Sequence, residues 1–133
     1  MSPGRMALAI FLSGLAVSVT DWFFFGVLFH SKYLAYPEIW RQAPGGEGKA
    51  VLWSILLGFV TCGAFVVTCS AFQMRGYAAA AGLAVAIWVI APLPMLITTA
   101  LFIKLHPLTV VAHALGWLVK LLVAAAAVGW LAP

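Results

Sequence analysis

A chain of 133 residues that is 65% hydrophobic and only 8% charged is excluded from the water-soluble globular class. Such domains carry about a quarter charged residues and, at this size, leave much of their surface wet. The net charge of +4 comes from too few groups to form an electrostatic footprint for nucleic acid; basic residues beside apolar segments set membrane topology instead.

Lipid is therefore the expected solvent. Four segments, at about 6–29, 50–72, 77–103 and 107–131, each exceed the roughly 20 residues that cross a bilayer as a helix. None shows the strict alternation of a barrel strand. The expected fold is all-α: one domain over 1–133, a polytopic antiparallel bundle of four transmembrane helices. Four spans put both termini on one side.

Segment one begins with Arg5 and an apolar run that passes Ala16-Val17-Ser18, an imitation of a signal-peptide cleavage site. The run continues through Phe29, longer than a signal's apolar region, so it reads as a retained first span. Inside it stands Ser18-Val19-Thr20-Asp21-Trp22-Phe23-Phe24-Phe25-Gly26. Asp21 lies too deep to reach water by itself. A lone carboxylate in hydrocarbon costs several kcal/mol, so it must be protonated, solvated or paired.

The first loop, 31–49, is the only sizeable polar stretch. Tyr33, Tyr36 and Trp40 are interface anchors by type. Pro37 suits a first helical turn, with Glu38 at its positive end. A short helix lying on the membrane is expected over about 33–42. Ala43-Pro44-Gly45-Gly46 breaks it before segment two.

Segment two carries Ser54, Thr61 and Thr68 at intervals of seven, flanked by Gly58, Cys62 and Cys69. Small and hydroxylated residues on one face permit close helix packing in lipid; the alternative is a lined path for a polar ligand. The two cysteines, roughly 10 Å apart along one helix axis, cannot bridge each other and read as buried structural thiols. The turn Gln73-Met74-Arg75-Gly76 is so short that segments two and three are expected to be adjacent. Segment three contains Pro92-Leu93-Pro94. Two missing donors predict a kink or break. Discontinuous helices mark binding sites in many transporters, although plain proline kinks are commoner.

In segment four, His106, His113 and Lys120 recur every seven residues, close to one helical face, with Gly116 between them. Asp21 lies about nine residues in from the side of loops one and three, roughly 13 Å at 1.5 Å per residue. Lys120 lies about thirteen residues in, roughly 20 Å by the same rise. Side chains lean toward the helix N-terminus, here back toward that side, so a Lys stem of about 6 Å brings the ammonium near the depth of Asp21. An intramembrane pair between Asp21 and Lys120 is expected, with His113 at shallower depth. The other readings are charges facing separate polar cavities, or a protonated Asp21.

His30, His106 and His113 share one half of the membrane and are candidates for a metal or haem site. Their spacing suits a compact site poorly, and scattered satisfied histidines are the plainer reading. No nucleophile motif, phosphate loop or paired carboxylates appear, so acid–base enzymology has little material among three acidic residues. No cofactor is required. Lys32, Arg41, Lys49 and Lys104 on one side, against Arg5 and Arg75 on the other, place loops one and three in the cytoplasm.

The run Asp21-Trp22-Phe23-Phe24-Phe25-Gly26-Val27-Leu28-Phe29, with Thr98-Thr99-Ala100-Leu101-Phe102 and His113-Ala114-Leu115-Gly116-Trp117-Leu118, resembles a family of small four-helix bacterial membrane proteins catalogued as domain of unknown function 1761. That family has Trp-Tyr, a proline and Leu-Phe in its first helix; Gly26 and Val27 depart from the pattern, and Asp21 and Lys120 are not assigned by it. The resemblance implies four helices and membrane residence, and brings no catalytic residues; the expected location is a bacterial inner membrane.

Three functions follow as expectations. The first is binding or passage of a small solute or proton at a polar site of Asp21, His113 and Lys120, with Thr61 and the break at Pro92 and Pro94 alongside. The second is a non-catalytic accessory subunit of a larger membrane complex. The third is a histidine–metal membrane enzyme. The expected partners are membrane lipid and, because four helices enclose little space, further copies of the chain or a larger complex.

Overall fold

The computed structural model describes residues 1–31, 35 and 48–132. The segment expected at the interface, 33–42, lies outside the described residues apart from Ala35. Every regular element among the described residues is helical, and four helices are long and apolar enough to cross a membrane.

Helix α1 spans Pro3–Asp21, with Ser2 as its N-cap accepting from the Arg5 amide. Its continuation Trp22–Leu28 is π-helical, so segment one is not the uniform α-helix its hydropathy predicts. Helix α2 spans Gly48–Ala71. Segment three divides into α3, Gly76–Ile90, and α4, Pro92–Phe102. Helix α5 spans Pro107–Leu131 and is capped by His106, whose Nδ1 accepts from the Leu108 amide at 3.2 Å. Pro3, Pro92 and Pro107 each open a helix, where the missing amide hydrogen has no intrahelical partner to lose.

The break in segment three is sharp and short. Ala91 sits at φ −123°, ψ −71°, outside the helical well, because the ring of a following proline disfavours α geometry in the residue before it. Helical bonding resumes at once, with the Met95 amide donating to the Ala91 carbonyl at 3.1 Å.

Helix α5 is the hub. It packs against α1, α2, α3 and α4, and against the π-helical segment. Its buried residues are mostly small, among them Ala112, Gly116, Ala124 and Ala125. In lipid there is no hydrophobic drive between helices, so close backbone approach through small residues supplies the packing energy. Opposite them lie Ala9 and Val17 of α1, Cys62 and Val66 of α2, and Ala80 and Ala84 of α3. Large apolar side chains, including Trp22, Trp53 and Trp130, point outward.

One expectation is overturned here. Helices α2 and α3 are joined by only 72–75, yet they scarcely touch; each packs on α5 instead. The turn redirects the chain through two left-handed residues, Gln73 at φ 53° and Gly76 at φ 72°. The Gly76 amide then donates to the Ala132 carbonyl at 2.8 Å, tying the start of α3 to the end of α5. Gly129 completes that crossing, since a Cβ there would stand 2.8 Å from the Tyr77 backbone.

Farther along the same contact, the indole Nε1 of Trp88 donates to the Ala114 carbonyl at 2.8 Å. Trp88→Phe keeps the aromatic volume and deletes this bond. Thermal unfolding in detergent is expected to show a loss of about 1 kcal/mol.

Candidate functional site

Asp21 is the last residue of α1 before the π-helical turn. Three phenylalanines and a tryptophan follow it. The wider turn is closed by bonds such as Phe29 amide to Phe24 carbonyl at 2.9 Å, five residues back. Phe24 packs edge-on to Phe23 and stacks on Phe29. Gly26 leaves the space that the Trp22 indole borders, where a Cβ would lie 3.3 Å from it. Single π turns of this kind are rare and concentrate at functional sites.

From α5, Lys120 meets Asp21: Nζ lies 2.9 Å from Oδ2. The two side chains are only 15% and 17% exposed. The same ammonium lies 5.3 Å from the centroid of the Trp117 ring, within range of a cation–π contact. The pair joins the two helices through charges that each would be expensive alone in hydrocarbon.

His113 lies two turns before Lys120. Its imidazole packs on Phe25, ring centroids 4.8 Å apart and planes tilted by 32°. Gly116, between the two polar residues, gives Phe25 its place; a Cβ there would approach the ring to 3.4 Å. The π-helical segment therefore lays an aromatic lid over the same face of α5 that carries His113 and Lys120.

The structure thus brings Asp21, Lys120 and His113 into one neighbourhood. Other sequence candidates sit elsewhere. The Thr61 hydroxyl donates to the Leu57 carbonyl of its own helix at 2.9 Å, and Thr68 does the same to Ala64. Pro92 is buried and Pro94 exposed, in a helix that packs on α3 and α5, whereas Asp21's helix packs on α2 and α5. His30 is exposed, and His106 caps α5. Among the described residues no three His, Cys, Asp or Glu side chains group closely enough to hold a metal ion, so the three histidines are not brought together.

Residues that the polar pattern does not single out also take part. Phe25 and Trp117 wall the site. Cys62 of α2 and Ser13 of α1 are both fully buried and lie beside each other. The Ser13 hydroxyl donates to the Ala9 carbonyl at 2.6 Å. Both cysteines are free thiols. The usable signal for Phe25 is Gly116: a glycine between two polar residues on one face marks where a bulky neighbour must fit.

No family model, curated protein or solved structure matches this chain.

Proposed function

We propose that this chain is an antiparallel four-helix integral membrane protein that binds or passes a small solute, most simply a proton, at the intramembrane site of Asp21, Lys120 and His113. The observation that carries this reading is the 2.9 Å pair of Asp21 and Lys120, held at the start of a π-helical turn between apolar helices. Ionisable residues inside membrane spans are costly and mark ion and proton pathways. A paired acid and base exchange a proton without creating net charge. His113, about 10 Å along α5 from Lys120 toward the His106 end, is a next station, an imidazole whose two ring nitrogens can take up and hand on a proton.

In this reading loops one and three face the cytoplasm of a bacterial inner membrane, with an interfacial helix in loop one. Several copies assemble, because one bundle has few helices with which to enclose a path.

The test is proton flux into proteoliposomes loaded with a pH-sensitive dye under an imposed potassium diffusion potential. The intact protein is expected to exceed empty vesicles by about tenfold, equivalent to lowering a barrier by some 1.4 kcal/mol. Asp21→Asn is expected to return the flux to the empty-vesicle level. Native mass spectrometry of the same preparation should show a closed homo-oligomer. Flux unchanged by Asp21→Asn, or a monomer that copurifies with a larger membrane enzyme, would remove this reading and leave an accessory role.

A further inference from the structure

At the opposite end of the molecule from His30 and Lys104, the start of α1, the last turn of α2, the 72–75 turn and the end of α5 border a half-open groove of about 540 Å³. Its lining includes Arg5, Arg75, Ser70, Gln73, Met74 and Leu131. That volume is in the range of small-molecule sites and far exceeds a single water.

Among the described side chains that line it, the charge is one-sided. Among the described residues Asp21 is the only carboxylate, and it is held by Lys120 far along the bundle. The two guanidinium groups therefore have no described acid beside them. Arg5 has one weak partner, the Leu131 carbonyl at 3.5 Å, which leaves most of its five donors unspent. Two helices begin here and two end here, so their end dipoles oppose one another and the guanidinium groups set the sign. Ser70 and Gln73 add neutral donors. Met74 and Leu131 supply an apolar border.

Two guanidinium forks with a hydroxyl and an amide are the donor set that matches phosphate oxygens. The position adds a second constraint. Helices long enough to cross a bilayer put their ends at headgroup depth, where lipid phosphates lie. We infer that this groove is a phosphate site, filled by the phosphodiester headgroup of an anionic phospholipid or by free phosphate.

The full chain is purified in a neutral detergent after exposure to equal amounts of phosphatidylglycerol and phosphatidylcholine, and retained lipid is counted by native mass spectrometry. Phosphatidylglycerol is expected to be retained preferentially, and Arg5→Gln with Arg75→Gln to reduce that preference about tenfold, the effect of losing one or two charge-assisted bonds. Lys49→Gln with Lys104→Gln removes the same charge from the other end and should leave it unchanged. Arg75→Gln alone, at an exposed N-cap, provides the reading if the double variant fails to fold. In a second arm, inorganic phosphate is titrated into delipidated protein by calorimetry. Saturable heat that vanishes in the arginine variants, with no lipid preference, assigns the site to free phosphate. Equal effects of the two double variants on lipid retention, or no effect of either arginine variant in both arms, overturns the site.

Discussion

Asp21→Asn is expected to destabilise the protein more than Asp21→Asn combined with Lys120→Met. The single change leaves the Lys120 ammonium in place, 15–17% exposed as the pair now stands, with an amide in front of it. Removing one partner of a buried pair costs about 3–5 kcal/mol, because the other charge stays behind unpaired. Partial exposure and the nearby Trp117 ring place the expectation at the lower end, about 3 kcal/mol. Replacing both partners removes the orphan, and an unbranched methionine occupies the space of the lysine stem. The double variant should therefore recover part or all of the loss. Unfolding in detergent, by heat or by titration with sodium dodecyl sulfate, measures all four corners of the cycle. Simple additivity would show that the 2.9 Å contact carries no coupling energy.

The second large effect lies at the far end of α5. Gly129→Leu is expected to cost about 2 kcal/mol or more, the penalty for overpacking where neighbours cannot yield. The first atom added at Gly129 would fall 2.8 Å from the backbone N and Cα of Tyr77. Backbone cannot rotate aside as a side-chain tip can, and here it is pinned by the Gly76–Ala132 hydrogen bond. The start of α3 must therefore swing away from α5, opening the contact that also holds Ala80 and Ala84. Gly82→Ala is the companion measurement. Nothing lies within 4 Å of a Cβ at Gly82, so this change removes a flexible glycine from a helix and is expected to gain up to about 1 kcal/mol. Opposite signs at two glycines only 47 residues apart in sequence would separate packing from helix propensity; a loss at Gly82 as large as that at Gly129 would refute the packing account.

The two effects act on different faces of α5. Asp21 and Lys120 join it to α1, and Gly129 joins it to α3. A helix between two partners explains why its residues are small toward both, and why a chain with so little polar material can still specify one arrangement. The aromatic run after Asp21 has a role in the same scheme. Phe25 covers His113 and Gly116, so a residue of the π-helical segment also closes the site.

Sequence by itself determined the class and the spans. Length of apolar run and scarcity of charge decide which segments lipid can accept, and both are local properties. It also determined that segment three must be interrupted, because prolines remove donors wherever they stand, and that Asp21 needs an answer, because the cost of a carboxylate in hydrocarbon does not depend on the fold. Beyond the Asp21–Lys120 pair, tertiary structure decided the neighbours. The short 72–75 turn argued for α2 beside α3, but left-handed Gln73 and Gly76 turn the chain away and α5 takes the place between. It decided that the Thr61 and Thr68 hydroxyls are spent on their own helix, that the helix of Pro92 and Pro94 packs on α3 and α5, and that Phe25 packs on His113. The reason is physical: in lipid every helix is apolar all round, so hydropathy does not say which face meets which. Apart from the ion pair, the close fit of small residues selects the partner, and that fit exists only once the helices are together.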